Sequence, residues 1–285
     1  MIASIVLGIA FVFTIVNRLY AKKTLNALDI YGVTILSNIF CTLVLLPYAI
    51  YKLPEIIRLP REQIGLILLL GISWAIIAWA MNASIALNDF SFKEIIRQTR
   101  VIFVVLGGVL IFGESLSILD TLGIGAIVVS TLIISWNKAS LREHFTSKPI
   151  LLAWMTSLLI AITTLLEKYL VMRVDVLTYT FLGAFALPTI ILLLFFSEKR
   201  AVATKKLLLN HKVEIVLFSS FMLISFTAGL FAYKLLPISI AYPLIQSATV
   251  FAIVIGTALF EENYQWKRKL VAACTAIGGV LLIQI

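Results

Sequence analysis

Ten long apolar runs divide this chain, and they constrain its fold more tightly than any motif in it. The hydrocarbon core of a bilayer is about 30 Å thick and a helix rises about 1.5 Å per residue, so a crossing needs about 20 mostly apolar residues. The runs are Ile2 to Tyr20, Ile30 to Tyr51, Ile64 to Leu87, Phe92 to Phe112, Ile118 to Trp136, Ile150 to Met172, Val176 to Phe196, Val213 to Leu236, Ile238 to Phe260 and Leu270 to Gln284. They are too continuously apolar for the alternating strands of a membrane barrel, whereas a helix satisfies its own backbone polar groups in lipid. The chain is 61% hydrophobic and 13% charged, against about a quarter charged in aqueous domains. The expected fold is all-α and integral to the membrane, with ten transmembrane helices. The first run, "MIASIVLGIAFVFTIV", lacks a basic start and a small-residue cleavage site, so it reads as a retained helix rather than a signal.

The net charge of +9 is carried largely by the loops, where cations set topology and meet anionic lipid, so no nucleic-acid partner is implied. Loops after odd-numbered runs hold 13 cations, among them Lys22, Lys138, Lys199, Lys205, Lys206 and Arg268, and the other loops hold far fewer. The positive-inside bias alone would place those loops in the cytoplasm and both termini outside. Cys41 and Cys274 lie within apolar runs and read as small buried hydrophobes.

Shifted by 148 residues, the chain matches itself: Ser91 meets Ser239, Gln98 meets Gln246, Phe103 meets Phe251, Glu114 meets Glu262, and Tyr31 meets Tyr179. At a shift of 150, "IVNRLY" meets "LLEKYL", pairing Arg18 with Lys168. Two homologous halves of five helices follow, residues 1–140 and 149–285. Five is odd, so the halves are expected to insert with opposite orientation. Inverted repeats of this kind build secondary transporters, in which a site between the halves opens alternately to either side.

Each half ends in an acidic residue, a short polar turn and a small-residue-rich helix, as in "IFGESLSILDTLGIGAIVVSTLII" and "ALFEENYQWKRKLVAACTAIGGVLLI". This pattern resembles the EamA-like branch of the drug/metabolite transporter superfamily, with Glu114 and Glu262 at the acidic position. The resemblance implies ten helices around a central cavity, alternating access, a multi-pass place in the cell membrane, and cytoplasmic termini. The last point opposes the loop count, and we adopt the orientation the resemblance implies.

Charge inside the runs marks candidate sites, because it is costly in lipid and turns toward protein or water. In "KEIIRQTR", Lys93, Arg97 and Arg100 share one helical face. Lys93 reads as snorkelling to the headgroups; Arg97 and Arg100 either line a cavity and hold a carboxylate or phosphate, or snorkel likewise. Tyr242, Gln246 and Thr249 share a face in "SIAYPLIQSATVF", and Gln98 and Gln246, matched across the repeat, are assigned either to the pocket or to contacts between helices. Trp79 and Asn82, with Trp74, Phe226 and Tyr233, are candidates for an aromatic wall. Glu167 and Lys168 are the coupling candidates; a desolvated carboxylate could carry a proton, and a local ion pair near the helix end is the plainer alternative. Pro188 is expected to kink its helix, Pro243 to fall in a first turn, and glycines within the runs to permit close packing.

His144 and His211 lie in loops, no metal-spaced cluster occupies the runs, and no phosphate-binding glycine loop occurs. The expectation is a carrier without cofactor or metal rather than an enzyme. Amino acids or related small polar metabolites are the first substrate reading, on the resemblance. Organic anions or phosphorylated metabolites are the alternative, on Arg97 and Arg100. A membrane scaffold or enzyme ranks below both. The partners are the solute and the bilayer, and a monomer is compatible with the sequence.

Overall fold

Every apolar run falls on a helix of its own. The structure, a computed structural model, describes residues 1–24, 30–85, 90–135, 148–195, 197–259 and 266–283, with side chains described outside 22–31, 78–98, 134–150, 152–153 and 192–196. In chain order the helices are α1 (Ile2–Thr24), α2 (Ile30–Tyr51), α3 (Leu53–Ile57), α4 (Arg61–Ile85), α5 (Phe90–Phe112), α6 (Ile118–Ser135), α7 (Lys148–Val171), α8 (Val176–Phe195), α9 (Glu198–Asn210), α10 (Lys212–Leu235), α11 (Ile238–Leu259) and α12 (Trp266–Leu282). The runs account for all but α3 and α9. Those two short helices occupy the same place in each half, after its second long helix.

Among the described residues, five stretches are long and apolar enough to cross a membrane: Ile2–Ala21, Gly32–Tyr51, Trp154–Val171, Lys212–Leu235 and Ile238–Leu259. Thr99–Phe112, Ile118–Ile133 and Val176–Ile191 are shorter apolar helices. α4 and α12 join neither group; α4 opens on Arg61, Glu62 and Gln63, and α12 on Lys267, Arg268 and Lys269. Large apolar side chains point outward, with Leu110 81% and Leu281 79% exposed, as a lipid-facing surface requires and an aqueous one does not.

Local chemistry fixes the element ends. Ser117 and Asp120 form a capping box at the start of α6: the Ser117 hydroxyl accepts from the Asp120 amide at 3.0 Å, and Asp120 Oδ2 accepts from the Ser117 amide at 3.0 Å and its hydroxyl at 2.7 Å. After α5 the chain turns through Gly113 at φ 66°, a left-handed conformation that suits glycine. Pro243 lies inside α11, beyond the first turn where it was expected, and Pro47 and Pro188 lie inside α2 and α8. Cys41 is buried as expected, but Cys274 is exposed, because it lies on an outward face of α12.

Three pairs of helices matched by the sequence repeat pack on one another, α2 on α8, α5 on α11 and α6 on α12, and they run antiparallel. Where α2 meets α8, the Tyr48 hydroxyl donates to Asp175, just before α8, at 2.8 Å, while Ile35 packs against Ile191 at the far end. At the α5–α11 pair, Glu114 beyond the end of α5 meets Ile238 and Ser239 at the start of α11. Along the α6–α12 pair, Arg268 Nε donates to the Ile133 carbonyl, while Gly123 faces Gly279 at the other end. Several of the other main contacts exchange in pairs when the halves are swapped: α1 packs on α10 as α7 packs on α4, and α5 on α7 as α11 on α1.

Glycines serve the tightest of these crossings. A Cβ on Gly123 would lie 2.6 Å from the Gly279 carbonyl, and one on Gly279 would lie 2.7 Å from the Gly123 carbonyl. Gly125 and Gly278, expected to act similarly, have nothing within 4 Å of such a Cβ.

Candidate functional site

A cavity of about 270 Å³ lies among α2, α4, α7, α8 and α10. Its wall is mainly apolar, with Ile67 and Leu70 from α4, Leu187 from α8, and Met222, Leu223 and Phe226 from α10. The polar part is concentrated around Glu167, which is only 3% exposed. Trp74 Nε1 donates to Glu167 Oε1 at 3.1 Å and the Tyr179 hydroxyl donates to the same oxygen at 3.4 Å. A carboxylate in such a wall is costly unless donors hold it, and these two indole and phenol groups are those donors. Asn38 and Thr180 also line the space, but Asn38 donates to the Thr34 carbonyl at 2.8 Å and Thr180 to that of Val176 at 2.8 Å. Oxygen atoms, Glu167 foremost, are therefore the acceptors this wall presents.

Consecutive residues on a helix point about 100° apart, so Lys168 faces elsewhere. It is 6% exposed and donates to the carbonyls of Tyr233 and Leu236, the latter at 2.7 Å, where α10 turns into α11. Its carboxylate partner is Glu114, at 3.9 Å. A Glu167–Lys168 ion pair and snorkelling of Lys168, the plainer readings of this segment, are thus both replaced, because each side chain has its own buried partners on other helices. Glu114 also accepts from the Ile238 amide at 2.7 Å, the Ser239 amide at 2.9 Å and the Ser239 hydroxyl at 2.6 Å. A carboxylate from one half thereby caps a helix of the other, where the amides and helix dipole favour negative charge.

A second polar cluster lies on the α5–α11 crossing. Arg100 donates to Gln246 Oε1 at 3.2 Å. Arg100 Nε and Thr249 Oγ1 are buried atoms that find no hydrogen-bond partner among the described residues. The rings of Tyr233 and Tyr242 lie 6.3 Å apart, near both Arg100 and Glu167.

The sequence-based candidates divide accordingly. Trp74, Phe226 and Glu167 line the cavity; Arg100, Gln246, Thr249, Tyr233 and Tyr242 do not, and gather at the neighbouring crossing. The side chains of Trp79, Asn82, Arg97 and Gln98, with those of Lys93 and Glu94, lie outside the described residues, as does Glu262. Sequence reasoning missed the cap that Glu114 makes and the place of Tyr179 beside Glu167. Both residues were matched across the repeat, the available signal, but their partners are remote in the chain.

Residues 1–136 match the EamA-like transporter family, which belongs to the drug/metabolite transporter superfamily. No match was found among curated proteins. A solved crystal structure of a protein 14% identical in sequence superposes with a TM-score of 0.66, covering 98% of this chain and 95% of that one. At that identity the likeness concerns the fold alone, and it extends over both halves.

Proposed function

We propose that this chain, whose residues 1–136 match the EamA-like transporter family, is a secondary carrier of small polar metabolites that works by alternating access. The observation that carries the proposal is the antiparallel packing of α2 on α8, α5 on α11 and α6 on α12, beside a cavity that contains a buried carboxylate. Counterpart helices that run antiparallel are what two inverted five-helix halves would produce, and inverted halves can exchange conformations across the membrane. In this reading the chain has ten spans, sits in the cell membrane, and keeps both termini in the cytoplasm.

Amino acids are the first substrate class. An ammonium group would find Glu167, and a carboxylate would find the guanidinium of Arg100, whose Nε has no hydrogen-bond partner among the described residues. Trp79, Asn82, Arg97 and Gln98 are proposed to complete the solute path. Glu167 would also carry the coupling proton: held by Trp74 and Tyr179 in an apolar wall, it can be neutralised when solute leaves and recharged when solute binds. Organic anions or phosphorylated metabolites form the second reading, favoured by Arg100 alone.

Purified protein in sealed vesicles should show saturable counterflow of an amino acid, accelerated by an imposed pH gradient. Glu167→Gln should abolish the response to the gradient, and Arg100→Gln should raise the KM. Leakage without saturation would refute a carrier; counterflow of organic acids but not amino acids would select the second reading. Labelling of Ser140→Cys from outside intact cells is expected for cytoplasmic termini, and labelling only after lysis would reverse the orientation.

A further inference from the structure

We propose that α9 is an interfacial helix that binds the headgroups of anionic lipids. It begins three residues after Phe195, the end of α8, and ends two before Lys212, the start of α10, so where α8 and α10 cross the bilayer, chain continuity holds it at the membrane boundary. Ser197 caps it, its hydroxyl accepting from the Arg200 amide at 3.3 Å, and Leu207 anchors it to the body by packing with Val33 and Ile215. The outward surface is both basic and greasy. Lys199, Lys205, Lys206 and Lys212 are exposed, while Val202 and Leu209 stand 55% and 58% exposed among them.

Neither property alone selects this partner. Exposed lysines would serve any anion, and an exposed apolar face any greasy surface. Interleaved on one helix at the edge of the bilayer, they fit an amphiphile whose phosphate meets the ammonium groups and whose glycerol and upper acyl segments meet Val202 and Leu209. The corresponding helix of the other half, α3, is built differently. It has five residues, and its neighbouring Lys52 is held by Glu55 at 2.6 Å.

The test uses the full-length protein in nanodiscs of phosphatidylcholine with and without phosphatidylglycerol, and reads retained lipid by native mass spectrometry. Wild type should retain phosphatidylglycerol preferentially, the more so at low salt. Each Lys→Gln change among Lys199, Lys205, Lys206 and Lys212 should lower that preference about fivefold, with the thermal midpoint in pure phosphatidylcholine unchanged. All four changes together should abolish the preference, and should that fourfold variant fail to fold, Lys205→Gln with Lys206→Gln should still reduce it by more than either change alone. Val202→Ser with Leu209→Ser should also weaken retention while leaving its salt dependence intact. Equal preference in wild type and the lysine variants would overturn the proposal, and so would full retention in the serine variant, which would leave a simple anion-binding surface.

Discussion

Removing the Glu114 carboxylate should unlatch one face of the bundle. Glu114 receives three hydrogen bonds from Ile238 and Ser239 and faces Lys168 at 3.9 Å, all within a buried joint between the halves. Hydrogen bonds to a charged group contribute about 1.5 to 3 kcal/mol each, non-additively, and removing one partner of a buried ion pair costs about 3 to 5 kcal/mol. Lys168 keeps its two carbonyl acceptors, which softens the loss. We therefore expect Glu114→Ala to disfavour the latched arrangement by about 3 kcal/mol, roughly a hundredfold shift in a two-state equilibrium. The reporter is Ala241→Cys, at a position 0% exposed in the first turn of α11, in a background where the exposed Cys274 is replaced by Ser. Maleimide should label Cys at this position about a hundredfold faster once Glu114 is Ala. Adding Lys168→Met should cost less than the sum of the two single changes, because the pair is already broken. A labelling rate within a factor of about two of the parent, with an unchanged thermal midpoint, would refute the reasoning that this joint holds the face closed.

Three further outcomes follow from the packing and the turns. Gly279→Ala should destabilise by about 1 to 3 kcal/mol, since its Cβ would approach the Gly123 carbonyl to 2.7 Å, whereas Gly278→Ala, with nothing within 4 Å, should be neutral or better; thermal unfolding in detergent compares them. Gly113→Ala should cost about 1 to 2 kcal/mol, because φ is 66° there, and should speed the labelling described above by displacing Glu114. Burial of Asp175 works against its charged form, but donation from the Thr178 amide and the Tyr48 hydroxyl, with Lys234 nearby, outweighs it and holds the carboxyl below the usual range. Such a group confers stability that is present above the ordinary value of about 4 and is lost as pH falls through its lower folded value. Asp175→Asn should therefore lower the thermal midpoint at neutral pH and narrow its gap to wild type below about pH 4.

The helices were legible because a long apolar run must satisfy its own backbone polar groups in lipid, and a helix does so within one segment. The repeated sequence pattern was read directly, since Glu114, Gln98 and Ser91 recur as Glu262, Gln246 and Ser239 at one spacing. The short helices were not, because α3 and α9 lie on the surface and mix charge with apolar residues, and no run marks them. The sites were half legible. A charge inside a run announces that it needs a partner, and so Arg100, Glu167 and Lys168 could be named. Which partner it finds depends on how helices distant in sequence cross. Lys168 stands next to Glu167 in the chain yet pairs with Glu114, and Glu167 finds its donors in Trp74 and Tyr179.

The same crossings show where the two halves stop being equivalent. Aligned at a shift of 150, Glu167 of "LLEKYL" meets Asn17 of "IVNRLY". Asn17 is spent on the protein itself, its Nδ2 donating to the Phe218 carbonyl at 3.2 Å across the α1–α10 contact. Its counterpart across the α7–α4 contact is an acceptor turned into the cavity. An amide cannot take up and release a proton, and a carboxylate can. A scaffold whose main helix contacts exchange when its halves are swapped thus carries a titratable carboxylate at this position of the second half and an amide at the matching position of the first. For a carrier of this build the swap of conformations would be symmetric while the chemistry is not, so the state that exposes Glu167 to a given compartment would decide where its proton is gained and lost.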